Sequence, residues 1–211
     1  MEQLELEGVA EAILREGGQE DDEAPRLGRL ATSLLGPGAI EYAPIRLPGD
    51  GALIRIHDSW RIYLRRGLPI ERRAFTIAHE IAEWWLRVRE RYQGADVEQA
   101  ADYIGAAIMT PRRAFARALS AHGRDFRELA TDFGTSQTLV ALRDAELAHV
   151  PRAVVTPALV RVRGPEAWVW PDETVLRRWA RGGAPGLRKV RLTDDPRRVV
   201  LDVDELDATA G

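Results

Sequence analysis

The sequence predicts an α+β fold: a small antiparallel sheet packed on one long helix, then a helical subdomain, then a small C-terminal α/β appendage. Three changes of texture carry that prediction. Strand-like runs separated by turn residues fill 39–65, helical periodicity runs from Pro69 to about 147, and alternation returns after Pro151.

The elements follow in order. Residues 4–16 place Leu6, Val9, Ala10 and Ile13 on one stripe of a short amphipathic helix. GGQEDDEAP is acidic and breaker-rich, which suits a solvated loop. A helix near 25–35 ends at Gly36-Pro37-Gly38. Strands are expected over 39–46, 51–57 and 60–65. With turns at 47–51 and 57–59 between them, they read as an antiparallel meander. From Pro69 onward Ala74, Ile77, Ala78, Ile81, Trp85 and Val88 recur at helical spacing and mark a buried stripe.

A second long helix spans about 96–109, with Asp96 and Gln99 in the pattern of a capping box. Thr110-Pro111 stops it and caps the next helix, to about 121. Asp125 with Glu128 suggests another box, and Gly134-Thr135-Ser136 divides that helix from one over 136–147. Beyond Pro151, Val160–Arg163 and 168–170 alternate and 173–181 reads as a short helix. Residues 189–193 and 198–203 suit a hairpin around Asp194-Asp195-Pro196. The layout is therefore 1–24, an N-terminal helix and acidic loop; 25–151, the main domain; and 152–211, an appendage.

Composition narrows the function. With 45% hydrophobic residues in 211, the chain can bury a core and is not wholly disordered. Thirty basic against 33 acidic residues leave a net charge of −3, so there is no global basic footprint for nucleic acid. Arginines do gather in the last third, and Lys189 is the sole lysine. The absence of cysteine excludes disulfides, thiolate nucleophiles and cysteine-ligated zinc. MEQLELEGVA lacks a signal-peptide profile, and no apolar run nears the roughly 20 residues that span a bilayer. We expect a cytoplasmic protein with no membrane partner.

The chemistry concentrates in AHEIAE, residues 78–83. His79 and Glu83 are four apart and project from one helix face, with Glu80 beside them. That is the layout of the HExxH zinc helix, in which two histidines bind the metal and the glutamate is general base, with Glu83 in the second histidine position. The plainer reading of the same residues is a surface helix on which Glu83 pairs with Arg87, four residues on.

The wider segments resemble the ImmA/IrrE family of metallo-endopeptidases. RRAFTIAHEIAEWWL (72–86) looks like that family's RFTLAHELGH helix. EQAADYIGAAIMTP (98–111) is similar to its second signature, E-x-x-A-N-x-F-A-A-x-L-L-M-P, with Glu98, Ala101, Ala106 and Pro111 identical. Asp102 stands for the usual Asn, Ile104 for Phe, and Ile108-Met109-Thr110 for Leu-Leu-Met. FRELATDFGTSQTLVALRDAEL (126–147) resembles the third segment, a helix-turn-helix-like pair.

The resemblance implies a zincin-like fold, an HExxE variant of the motif, and three metal ligands in His79, Glu83 and Glu98. Glu80 would be the catalytic base, and a zinc ion would acidify water toward a pKa of ~7. One imidazole with two carboxylates is a harder, more anionic site than usual, which favours manganese or iron(II) relatively more than zinc. The alternative is a peptidase fold that has lost its metal. Asp102, one turn beyond Glu98, is either an auxiliary ligand or a carboxylate that orients one. Glu98 would also be favoured at a helix start by the dipole alone. Enzymes of this family cleave a transcriptional repressor, often a helix-turn-helix protein, and that is the partner implied.

Two other readings stand beside this one. Ala130, Gly134 and Val140 fit a DNA-binding helix-turn-helix, though SQTLVALRDAEL offers one arginine against two acids. A catalytically inactive module would keep the groove and bind a regulator. His57, His122 and His149 read as structural or exposed, and Trp84 and Trp85 as core or groove lining. The C-terminal arginines Arg161, Arg163, Arg177, Arg178, Arg181, Arg188, Arg191, Arg197 and Arg198 read as a solvated surface or a partner face.

Overall fold

Gly51–Ile56 (β2) and Ser59–Leu64 (β3) form the expected hairpin, in register from Ile56 opposite Ser59 to Gly51 opposite Leu64. His57 makes the turn with a φ of 52°, so its role there is conformational. The computed structural model describes residues 3–44, 46–92, 94, 96–148, 152–156, 160–163, 172–182, 187–192 and 197–203. The alternation at 168–170, the turn at 194–196 and His149 lie outside them.

The first strand departs from the expected meander. Ile40–Tyr42 (β1) pairs parallel with β3, Ile40 opposite Ile62, so the sheet is mixed with order β1-β3-β2. A tight turn would force antiparallel neighbours, but the connection from Ala43 to Asp50 is long enough to return the chain across the sheet. Strand β3 carries the buried residues Ile62 and Leu64 and takes the central place. Asp50 anchors the connection by accepting hydrogen bonds from Arg65 and Arg72. Burial would raise its pKa, but the two guanidinium groups outweigh that and hold it below the usual carboxylate range.

Gln3–Glu16 (α1) and Leu27–Leu35 (α2) match the two expected N-terminal helices. The long helix is Ile70–Trp84 (α3), burying Thr76, Ile77, Ala78, Glu80, Ile81, Ala82 and Trp84. It packs on α2, β2 and β3 and most extensively on Val97–Met109 (α4), which also carries α1. Trp85–Arg89 continues α3 as a π-helical turn, closed by Glu90 N–H donating to the Trp85 carbonyl at 3.0 Å. The wider turn shifts the register, so Val88 leaves the buried stripe where α-helical spacing had placed it and is 37% exposed.

Capping differs in detail from expectation. Asp96 precedes α4 without a side-chain cap, because its carboxylate takes the Tyr92 hydroxyl instead. Thr110 closes α4 by donating its hydroxyl to the Ala106 carbonyl, and Pro111 is the residue that leads into Arg112–His122 (α5). Asp125 does cap Phe126–Asp132 (α6), accepting from the N–H groups of Arg127 and Glu128. After Gly134, at a φ of 58°, Ser136 accepts from Leu139 N–H at the start of Gln137–Ala148 (α7).

The chain divides into two compact units. One runs to Gly123 and includes Thr131–Thr135; the other holds Arg124–Ala130 and the chain from Ser136 on. In the second unit, Arg152–Val155 (β4), Val160–Arg163 (β5), Leu187–Arg191 (β6) and Val199–Val203 (β7) form an antiparallel sheet of order β5-β4-β7-β6. Glu173–Gly182 (α8) packs Leu176 and Ala180 on Ala153, Val155, Val199 and Leu201. Arg152 is fully buried, paired with Asp144 at 2.6 Å and stacked over Phe126. Among the described residues no helix is long and apolar enough to cross a membrane.

Helices α3 and α4 cross where Gly105 faces the backbone of His79. A Cβ at Gly105 would lie 3.1 Å from His79 N, 3.2 Å from its Cα and 3.3 Å from the Ala78 carbonyl carbon. A mid-helix glycine is about 1 kcal/mol less favourable than alanine, so the close approach is what makes glycine fit here. Gly105→Val should lower stability in urea by about 1–3 kcal/mol and Gly105→Ala by less. Equal, negligible effects would mean that the crossing has slack.

Candidate metal centre

Helical spacing builds the site from two pairs. His79 and Glu83 stack on one face of α3, and Glu98 and Asp102 stack on one face of α4. Because the helices cross at Gly105, the pairs face each other. His79 Nδ1 lies 3.0 Å from Asp102 Oδ1, and its Nε2 lies 3.5 Å from Glu98 Oε2. The imidazole is thus held at both ends, with 16% of its side chain exposed. Burial lowers its pKa, but the Asp102 hydrogen bond and the charges of Asp102, Glu80 and Glu98 outweigh that and raise it.

Glu80 reaches toward β2. Gly51 makes room for it: a Cβ there would stand 3.1 Å from Glu80 Oε1 and 2.4 Å from Thr76 Cγ2. Glu80 is 6% exposed and accepts the Leu53 backbone N–H. Burial, with the nearby charges of Glu83 and Glu98, pushes its pKa up to about 7, against the opposing pull of His79 and Leu53 N–H. A carboxyl poised near neutrality both takes and returns protons readily.

Glu83 does not join this convergence. It accepts Arg87 Nε at 2.6 Å, as the plainer sequence reading held, and Arg87 also reaches Glu98 Oε1 at 3.6 Å. The chemistry of the donor set fits a divalent cation: one imidazole nitrogen and carboxylate oxygens, facing one another. Ligand atoms about 2.1 Å from a tetrahedral ion sit roughly 3.4 Å apart, and the His79–Glu98 separation of 3.5 Å matches that spacing. Among the described residues, however, no three acidic or histidine side chains are gathered for a metal, and Glu83 is paired with Arg87.

Several contributors escaped the sequence reading. Gly105 and Gly51 work by lacking a side chain, and Leu53 works through its backbone. The Glu98 contact of Arg87 spans two elements. The run Gly105-Ala106-Ala107 was the one visible signal, since small residues mark a close helix crossing. Of the remaining histidines, His122 pairs with Asp132 at 2.9 Å and His57 makes its turn. Trp84 and Trp85 are buried. Among the C-terminal arginines, Arg177 is tied to Glu173 and to the Thr156 carbonyl.

A sheet-backed helix bearing His-Glu, crossed by a second helix bearing Glu, defines the class of peptidase-fold proteins. Residues 45–143 match the peptidase family model described as the IrrE N-terminal-like domain. A solved structure described as a Mycobacterium tuberculosis transcriptional regulator shares the fold at a TM-score of 0.64 and 18% identity, covering 97% of this chain and 89% of that one. No curated protein matches the chain.

The buried Glu80 has a consequence for stability in the metal-free protein. Its folded pKa of about 7 exceeds the ordinary 4.5, so its stabilising contribution is fully present below pH 4.5 and is lost as pH rises through about 7. Glu80→Gln cannot ionise. At pH 8 it should unfold at higher urea than the parent, by up to about 3 kcal/mol, and at pH 4 the two should coincide. Curves that stay parallel across this range would show that Glu80 ionises normally.

Proposed function

We propose that this chain is a metal-dependent endopeptidase acting on another protein, with a transcriptional repressor as the substrate class. The observation that carries the reading is His79, held by Asp102 on Nδ1 so that Nε2 faces Glu98 at 3.5 Å, with a buried acid next to it in sequence. His79, Glu98 and Glu83 would hold the cation, zinc or, with so many carboxylates, manganese or iron(II). When bound, such an ion polarises the scissile carbonyl and acidifies water.

The chain's own residues supply the rest. Asp102 accepts the Nδ1 proton of His79, which fixes the tautomer that leaves a lone pair on Nε2. Glu80 takes a proton from the attacking water and returns it to the leaving amine, a role suited to its pKa of about 7. The repressor as substrate follows the family resemblance, and the transcriptional setting is in keeping with the description of the mycobacterial neighbour. We place the reaction in the bacterial cytoplasm.

One observation favours a second reading, a peptidase-fold module that binds a regulator without cutting it: Glu83 is engaged by Arg87. DNA recognition by α7 finds less support, because its single arginine, Arg143, is buried.

The test is incubation with zinc or manganese and a co-encoded helix-turn-helix repressor, followed by mass spectrometry. The parent should cut at a defined bond, and Glu80→Gln should be about 10²–10⁴-fold slower while keeping its metal. No cleavage by the parent, with bound repressor recovered intact, would favour the module.

A further inference from the structure

The guanidinium of Arg87 lies where two of the three proposed ligands meet. Its Nε is 2.6 Å from Glu83 Oε1 and its NH2 is 3.6 Å from Glu98 Oε1. Glu98 therefore divides its oxygens, Oε2 toward His79 Nε2 and Oε1 toward Arg87. Glu83, with 19% of its side chain exposed, points to Arg87, and the third donor is withheld from the His79–Glu98 pair.

We infer that Arg87 is a built-in competitor for the cation: it holds Glu83 and touches Glu98, so the site gains its third donor only as Arg87 swings away. This rests on the metal-dependent reading above. Two features make the exchange feasible. Arg87 sits on the π-helical turn Trp85–Arg89, and its side chain is 49% exposed, so it can rotate into water without disturbing a core. A surface ion pair at helical spacing is weak, so a divalent cation can displace it.

The consequence is a weakened, conditional affinity for metal. Removing Arg87 should tighten binding, whereas an ordinary salt bridge that merely orients a ligand would loosen it on removal.

The experiment is competition of zinc ion against a fluorescent chelator, with the full chain, its Arg87→Met and Glu83→Gln variants, the double variant, and His79→Ala. Methionine keeps the aliphatic stem and removes the charge. Arg87→Met should bind zinc about 2-fold more tightly than the parent, and the gain should vanish in the Glu83→Gln background. Equal or weaker binding by Arg87→Met, with binding abolished in His79→Ala, would overturn the competition while leaving the metal site standing. A gain that survives Glu83→Gln would also overturn it, since simple charge repulsion would then suffice. Failure of the parent and of Arg87→Met to take up zinc would overturn both readings.

Discussion

Where α3 passes over α4, the backbone of His79 lies against Gly105 with no room for a side chain between them. The other features of the site depend on that contact. It sets the distance at which a residue on one helix reaches a partner on the other, and it does so with backbone, which yields less than side chains. Glu98 and Asp102, two turns and one turn before Gly105, are thereby presented to the two nitrogens of one imidazole. A bulkier residue at the crossing would separate the helices and open both distances together. The buried surfaces of Ala78, Ile81 and Ala82 on α3 and of Ala101, Ile104 and Ile108 on α4 hold the pair closed.

Close packing brings the carboxyl groups of Asp102, Glu98 and Glu80 near one histidine, with Glu83 one turn along α3, and the structure distributes that charge. Asp102 faces Nδ1 of His79, Glu98 faces Nε2, and Glu83 has Arg87. Glu80 reaches toward β2, where Leu53 N–H stabilises its anion and burial disfavours it, so that its pKa is pushed up to about 7. The same arrangement explains both proposed roles. A half-ionised buried acid suits proton transfer, and a half-exposed guanidinium bridges Glu83 and Glu98.

Much of this site was legible because helical spacing is a geometric rule. His79 with Glu83, Glu98 with Asp102, and Glu83 with Arg87 are each four apart, and each pair shares a face as the spacing requires. What the sequence withheld has physical causes. Parallel pairing of β1 depends on where a long connection leads the chain, which local pattern does not encode. Val88 was misplaced because a π-helical turn changes the residues per turn without a sequence signature. Asp96 has the right type for a cap, but the Tyr92 hydroxyl competes for it. The crossing at Gly105 pairs residues far apart in the chain, so sequence showed only that a small residue was there.

The measurement that bears most directly on the account is X-ray absorption at the zinc edge of the zinc-loaded protein, beside His79→Ala. A site built by the α3–α4 crossing predicts one imidazole with the rest oxygen, and loss of the imidazole scattering in His79→Ala. A shell with two imidazoles, or one unchanged by His79→Ala, would contradict it, because the metal would then lie elsewhere than between His79 and Glu98.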